Sequence, residues 1–117
     1  MVLLPGAGGR STTRGRVDGP DTVVADDFRV IVVEHRGHGR TNNPTGSMTF
    51  ENIATDVAEL VDQRGLGSAH IAGISDGGVV ALDCALRRSE MTRPVTTVGA
   101  NYCVHDGIRD FAAIGQR

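Results

Sequence analysis

Four short apolar runs, Val2–Leu4, Arg29–Val33, Ala69–Ala72 and Val95–Val98, constrain this chain more than any other feature. They are rich in Val, Ile and Leu and lack the strict apolar–polar alternation of a half-solvated strand. Runs of that kind read as strands buried in a parallel sheet. Helical patterns lie between them. A short one fits Pro20–Asp27, with proline suited to a first turn. A longer one spans Phe50–Gln63, setting Phe50, Ile53, Val57, Leu60 and Val61 on one face, with Thr49 as N-cap and Gly65 beyond the end. A third runs from Gly77 to about Arg88. Alternating β and α elements predict an α/β fold: right-handed crossovers and a mostly parallel sheet of about four strands, with helices on both faces. Gly8–Asp18 reads as a loop, and residues 104–117 are less regular.

Composition narrows the function classes. A length of 117 residues suits one domain with a modest core. The formal charge of −2 gives no pull toward nucleic acid or an anionic membrane surface. No apolar run reaches membrane-spanning length, and Met1 is followed by no charged leader. Cys84 and Cys103 are too few for a disulfide framework and lack metal-binding spacing, which predicts a reduced, cytoplasmic setting.

The chemistry concentrates at Gly73-Ile74-Ser75-Asp76-Gly77, a G-x-S-x-G between a predicted strand and a predicted helix. A sharp strand-to-helix turn there holds the serine in a strained conformation, and its neighbours two positions away have to be small. The hydroxyl then stands at the carboxyl end of the sheet, beside a helix N-terminus whose N–H groups favour developing negative charge. The plain alternative is a glycine-rich helix start with Ser75 as an ordinary N-cap.

At this point the chain resembles the α/β-hydrolase family, over nearly all of residues 2–103. "VLLPGAGG" is similar to the family's strand and oxyanion loop. "FRVIVVEHRGHGRT" is similar to the next strand and its D-x-R-G-x-G-x-S turn, with Glu34 and Thr41 in the acidic and hydroxyl places. "HIAGISDGG" resembles the elbow and "VTTVGANY" the strand after it. The resemblance points to the branch of small esterases and lactone or enol-lactone hydrolases. It makes Ser75 the nucleophile, with the backbone N–H groups of Asp76 and Ala7 as the oxyanion hole. The Asp76 side chain is then structural and points away from the oxyanion. Where the family has His-Gly before the second donor, this chain has Pro5-Gly6. The resemblance implies no cofactor, no metal and a small-molecule ester or lactone substrate.

The same family order puts an acid and then a histidine after Ser75. His105 is the one histidine that follows, where the family's cap begins, and reads as a loop residue. Asp106 falls where some members take their acid. His35 and His38 read as turn residues and His70 as a structural strand residue. The resemblance further implies two strands before Val2 and two after the last one here. Residues 1–103 are therefore expected to form a partial core, and 104–117 the start of a cap or tail. In family order the strands lie second, first, third, fourth, which sets Ser75 at a topological switch point and leaves Arg29–Val33 and Val95–Val98 as exposed edges prone to self-association.

Two other readings are weighed. "GAGGRST" begins like a phosphate loop, but the P-loop needs a lysine that this sequence lacks, and the dinucleotide pattern needs glycine at Ser11. A non-catalytic chain that needs a partner or further segments is the alternative of a different class.

Overall fold

The computed structural model describes residues 1–6 and 26–100. Its elements are β1 (Val2–Leu4), β2 (Ile31–Val32), α1 (Phe50–Gln63), β3 (Ala69–Ile74), α2 (Asp76–Arg87) and β4 (Thr92–Val98). The strands form one parallel sheet in the order β2-β1-β3-β4, as the sequence predicts. The predicted helix over Pro20–Asp27 falls largely outside the described residues, and Asp26 and Asp27 lie in a turn. Gly8–Asp18 and residues 104–117 also lie outside them.

The helix α1 begins and ends where its sequence dictates. The Thr49 hydroxyl accepts the Asn52 N–H at 3.2 Å. At the other end the Leu66 N–H reaches the Val61 carbonyl (3.1 Å) and the Gly65 N–H the Asp62 carbonyl (3.0 Å). That pair is a Schellman closure, and it satisfies two carbonyls the helix would otherwise leave open.

Both described helices pack on one face of the sheet. The crossings β2→β3 and β3→β4 step in the same direction, so right-handed connections carry α1 and α2 to the same side. There Val2, Leu4 and Ile71 from the strands meet Ile53, Val57 and Val61 of α1 and Val80, Ala81 and Cys84 of α2, all buried. Burial pushes the Cys84 thiol up to about 12, so it packs as a small apolar group. Arg87 bridges Glu51 of α1 (3.1 Å) and Asp83 (2.9 Å) across the outside.

The strands are less evenly buried than their apolar runs suggest. In β3 burial alternates, Ala69, Ile71 and Gly73 being buried while His70 and Ala72 are half-buried and Ile74 is exposed. The Phe28 and His70 rings meet on the second face at 5.5 Å. Most of β4 is exposed. Its register slips against β3 between Ala69 and Ile71, where Arg93 and Pro94 together oppose His70. That is a bulge, one of the few places a strand admits proline.

Candidate active site

Ser75 follows the last residue of β3 and precedes the first of α2. Its backbone, at φ 53 and ψ −118, has the geometry of the first central residue of a type II′ turn, a position glycine dominates. Among the described residues it is the one non-glycine with positive φ. Two hydrogen bonds fix the corner: the Ser75 N–H reaches the Val98 carbonyl at 2.8 Å, and the Ser75 carbonyl accepts the Gly78 N–H at 2.8 Å. Strand pairing thus holds one side of the serine and helix closure the other.

The glycines around it are there for close approach. A Cβ on Gly73 would overlap the Gly77 carbonyl, and one on Gly77 would overlap the Leu4 carbonyl and stand 2.6 Å from that of Pro5. Such distances are backbone against backbone, so no side-chain rotation relieves them. At Gly78 the added carbon would meet the Ala100 Cβ at 2.7 Å. The elbow is therefore wedged against the exit of β1. Gly6 continues that exit directly beside the serine, and a Cβ placed there would lie 3.3 Å from the Ser75 Cβ and 3.9 Å from its Oγ.

Ser75 is exposed and makes no side-chain capping bond to α2. The ordinary N-cap alternative thus fails, since a capping serine turns its hydroxyl onto the helix N–H groups. Asp76 and Gly77 open α2, and N–H groups in a helix's first turn have no intrahelical acceptor. Asp76 itself is half-buried. Ala7, the expected second donor, lies outside the described residues, as do His105 and Asp106.

Glu34, His35, Arg36, His38 and Thr41 lie in the turn that follows β2. The Glu34 carboxylate accepts the Arg40 N–H at 3.0 Å and its guanidinium Nε at 3.2 Å. Arg36 forks onto Asp56 of α1, Nε to Oδ2 at 2.7 Å and Nη2 to Oδ1 at 2.6 Å. The hydrogen bond to Asp56 raises the Arg36 pKa further above its usual range. His38 Nδ1 lies 3.1 Å from the Arg36 carbonyl. His35 is 3% exposed and its Nε2 has no hydrogen-bond partner. Burial, helped by the neighbouring His38, pushes the His35 pKa down to about 4, so the ring is neutral at pH 7. His70 is held against Phe28 on the second face. No three His, Cys, Asp or Glu side chains among the described residues are placed to hold a metal ion, and no described helix is long and apolar enough to cross a membrane.

Sequence reasoning missed the Arg36–Asp56 fork, whose partners are 20 positions apart, and the closeness of Gly6 to Ser75. The fork carried a faint signal, an Asp on the helix face that follows the Arg-Gly turn.

A parallel sheet in this order, with a strained serine between its third strand and the following helix, defines an α/β protein with a nucleophile-elbow geometry. The family model described as alpha/beta hydrolase fold matches residues 1–115, and the chain belongs to that family. It is 33% identical over 75 residues to the putative carbamate hydrolase RutD of Azorhizobium caulinodans, an overlap covering 64% of this chain and 28% of that protein. It is 36% identical over 55 residues to 3-oxoadipate enol-lactonase 1 of Acinetobacter baylyi, covering 47% of this chain and 20% of that one. The crystal structure of the enol-lactonase from Burkholderia xenovorans superposes with a TM-score of 0.71 at 28% identity, over 80% of this chain and 35% of that chain. The chain thus spans about a third or less of the length of each.

Proposed function

We propose that the chain carries the nucleophile of a serine-dependent hydrolase acting on ester or lactone bonds in small molecules. Carbamates are a neighbouring class, suggested by the name of one relative. Ser75 Oγ attacks the acyl carbon. The oxyanion that forms is held by the Asp76 N–H and by the N–H of Ala7, the residue after Gly6. The Asp76 side chain takes no part. The observation that carries this reading is Ser75 itself: an exposed hydroxyl on a strained backbone, unused by the helix it precedes.

A serine hydroxyl is a weak nucleophile until a base removes its proton. Each described histidine is placed elsewhere, His35 buried, His38 at the Arg36 carbonyl and His70 against Phe28. In a serine hydrolase, loss of the histidine alone lowers turnover by on the order of 10⁶. This chain is therefore expected to release p-nitrophenol from p-nitrophenyl acetate very slowly, through the oxyanion donors and binding. With the base absent that residual release does not need the serine, so Ser75→Ala is expected to match the parent. The proposal is tested by the covalent step instead: an acyl or phosphonyl adduct on Ser75 supports it, and a chain that forms none there at high reagent concentration would overturn it. Ordinary esterase turnover abolished by Ser75→Ala would mean that a base is present, and His105→Ala is then the next variant.

A further inference from the structure

Two kinds of glycine surround Ser75. Gly73 and Gly77 belong to the fold, since a Cβ on either would stand 2.6 Å or less from backbone atoms. Gly6 is different. It is not among the glycines with positive φ, so its backbone conformation does not require the missing side chain. Among the described residues, a Cβ there would meet the Ile74 carbonyl at 3.2 Å, the Ser75 Cβ at 3.3 Å and the Ser75 Oγ at 3.9 Å. The first two contacts are tight by a few tenths of an ångström. The entropy that alanine saves in the unfolded chain offsets part of that cost. Packing therefore tolerates a methyl group at position 6, and the space it would fill is the space beside the proposed nucleophile.

We propose that Gly6 is a specificity-determining residue, whose bare backbone keeps open the side of Ser75 Oγ on which the substrate's acyl group lies. This rests on the reading of Ser75 as nucleophile and of the Ala7 N–H as an oxyanion donor. The Ala7 nitrogen is bonded to the Gly6 carbonyl carbon. An acyl carbon held between that donor and Oγ therefore lies next to the Gly6 Cα.

Distances decide what fits there. Attack begins with the acyl carbon about 3–3.5 Å from the oxygen, and non-bonded carbon atoms settle about 3.5–4.0 Å apart. A methyl 3.9 Å from Oγ on that side competes with whatever the acyl carbon carries. A small group can turn past it, while a substituted carbon beside the carbonyl cannot. The bare glycine thus fits esters and lactones whose carbon next to the carbonyl bears a substituent, as the ring carbon of a lactone necessarily does.

Methanesulfonyl fluoride and phenylmethanesulfonyl fluoride differ at the corresponding carbon and test the proposal on the whole chain. With either, Ser75 Oγ bonds to sulfur, fluoride leaves and the hydroxyl proton passes to solvent, so the label needs no turnover. Labelling rates at Ser75 are read by mass spectrometry of the digested protein for the parent, Gly6→Ala and Gly6→Ser. Both variants are expected to keep the parent's circular dichroism and cooperative melting. In each, labelling by the phenylmethyl reagent should fall at least about tenfold further than labelling by the methyl reagent, the scale of one carbon's worth of pocket space. The ratio of the two rates cancels any change in the reactivity of the hydroxyl itself. A parent that takes neither reagent at Ser75 would overturn the nucleophile reading and this inference with it. A labelled parent whose ratio both folded variants leave unchanged would overturn this inference alone. Loss of the cooperative melt in the variants would do the same, because Gly6 would then be a glycine of the fold.

Discussion

Replacing the strained serine by glycine should make the protein more stable, although it removes the proposed nucleophile. Ser75 sits at φ 53 and ψ −118, where an L-residue carries strain of about 1–3 kcal/mol. Glycine adopts that corner freely. Its greater freedom in the unfolded chain offsets about 0.5–1 kcal/mol of the gain. Ser75→Gly is therefore expected to stabilise by about 1 kcal/mol, a rise in Tm on the order of 4 °C for a domain of this size. Ser75→Ala is the control. It keeps the Cβ and thus the strain, and removes a hydroxyl that caps nothing, so it should fall within about 0.5 kcal/mol of the parent. Urea and thermal unfolding followed by far-ultraviolet circular dichroism give both values. A Ser75→Gly protein no more stable than Ser75→Ala would refute the reasoning, because the corner would then hold no strain to release.

Gly77→Val forces a branched side chain onto the Leu4 and Pro5 carbonyls and should destabilise by about 3 kcal/mol or more, above the usual overpacking range because backbone has to move; a variant melting with the parent would mean that the elbow is not wedged against β1. Arg36→Ala removes the fork onto Asp56 and should lower stability by about 1–2 kcal/mol after allowance for the half-exposed carboxylate. Arg36→Lys, which cannot fork, should recover little of the loss in urea unfolding. His35 should give the acid limb of the stability curve. Its pKa is about 4 in the fold against 6.5 unfolded, so the unfolded chain takes up the proton first. Its contribution is whole above about pH 6.5, declines as pH falls towards 4, and totals about 3 kcal/mol. His35→Phe should flatten that interval, and an unchanged slope between pH 6.5 and 4 would show that the ring is not the group responsible.

Legibility in the sequence followed the range of the interactions. The helix α1 matches Phe50–Gln63 residue for residue because its cap, apolar face and closing glycine are local signals. The elbow was equally visible, since G-x-S-x-G is a local pattern and the Gly73–Gly77 approach is local, although Gly77 is also set by Leu4 and Pro5 and Gly78 by Ala100. Strand β4 was read as Val95–Val98 but extends back to Thr92, because Arg93-Pro94 looks like a break unless the strand is known to lie at an edge. Continuous apolar runs suggested burial on both faces, whereas β3 alternates. Which face each strand buries depends on where the crossovers go, and that follows from strand order rather than from any one run. The Arg36–Asp56 fork and the approach of Gly6 to Ser75 join distant segments, and no spacing rule announces them.

The most direct measurement is covalent. A fluorophosphonate phosphonylates an activated serine and spares unactivated ones, so the adduct reports the elbow's chemistry independently of turnover. The chain and its Ser75→Ala variant are incubated with the reagent, digested, and each serine-bearing peptide is read by mass spectrometry. With each described histidine placed elsewhere the reaction is slow, and the adduct is expected first on the peptide carrying Ser75, where the helix N-terminus favours developing charge, ahead of those carrying Ser11, Ser47, Ser68 and Ser89, and absent from that peptide in Ser75→Ala. A chain that stays unlabelled, or that labels its serines indiscriminately and equally in the variant, would contradict the assignment of Ser75 as nucleophile.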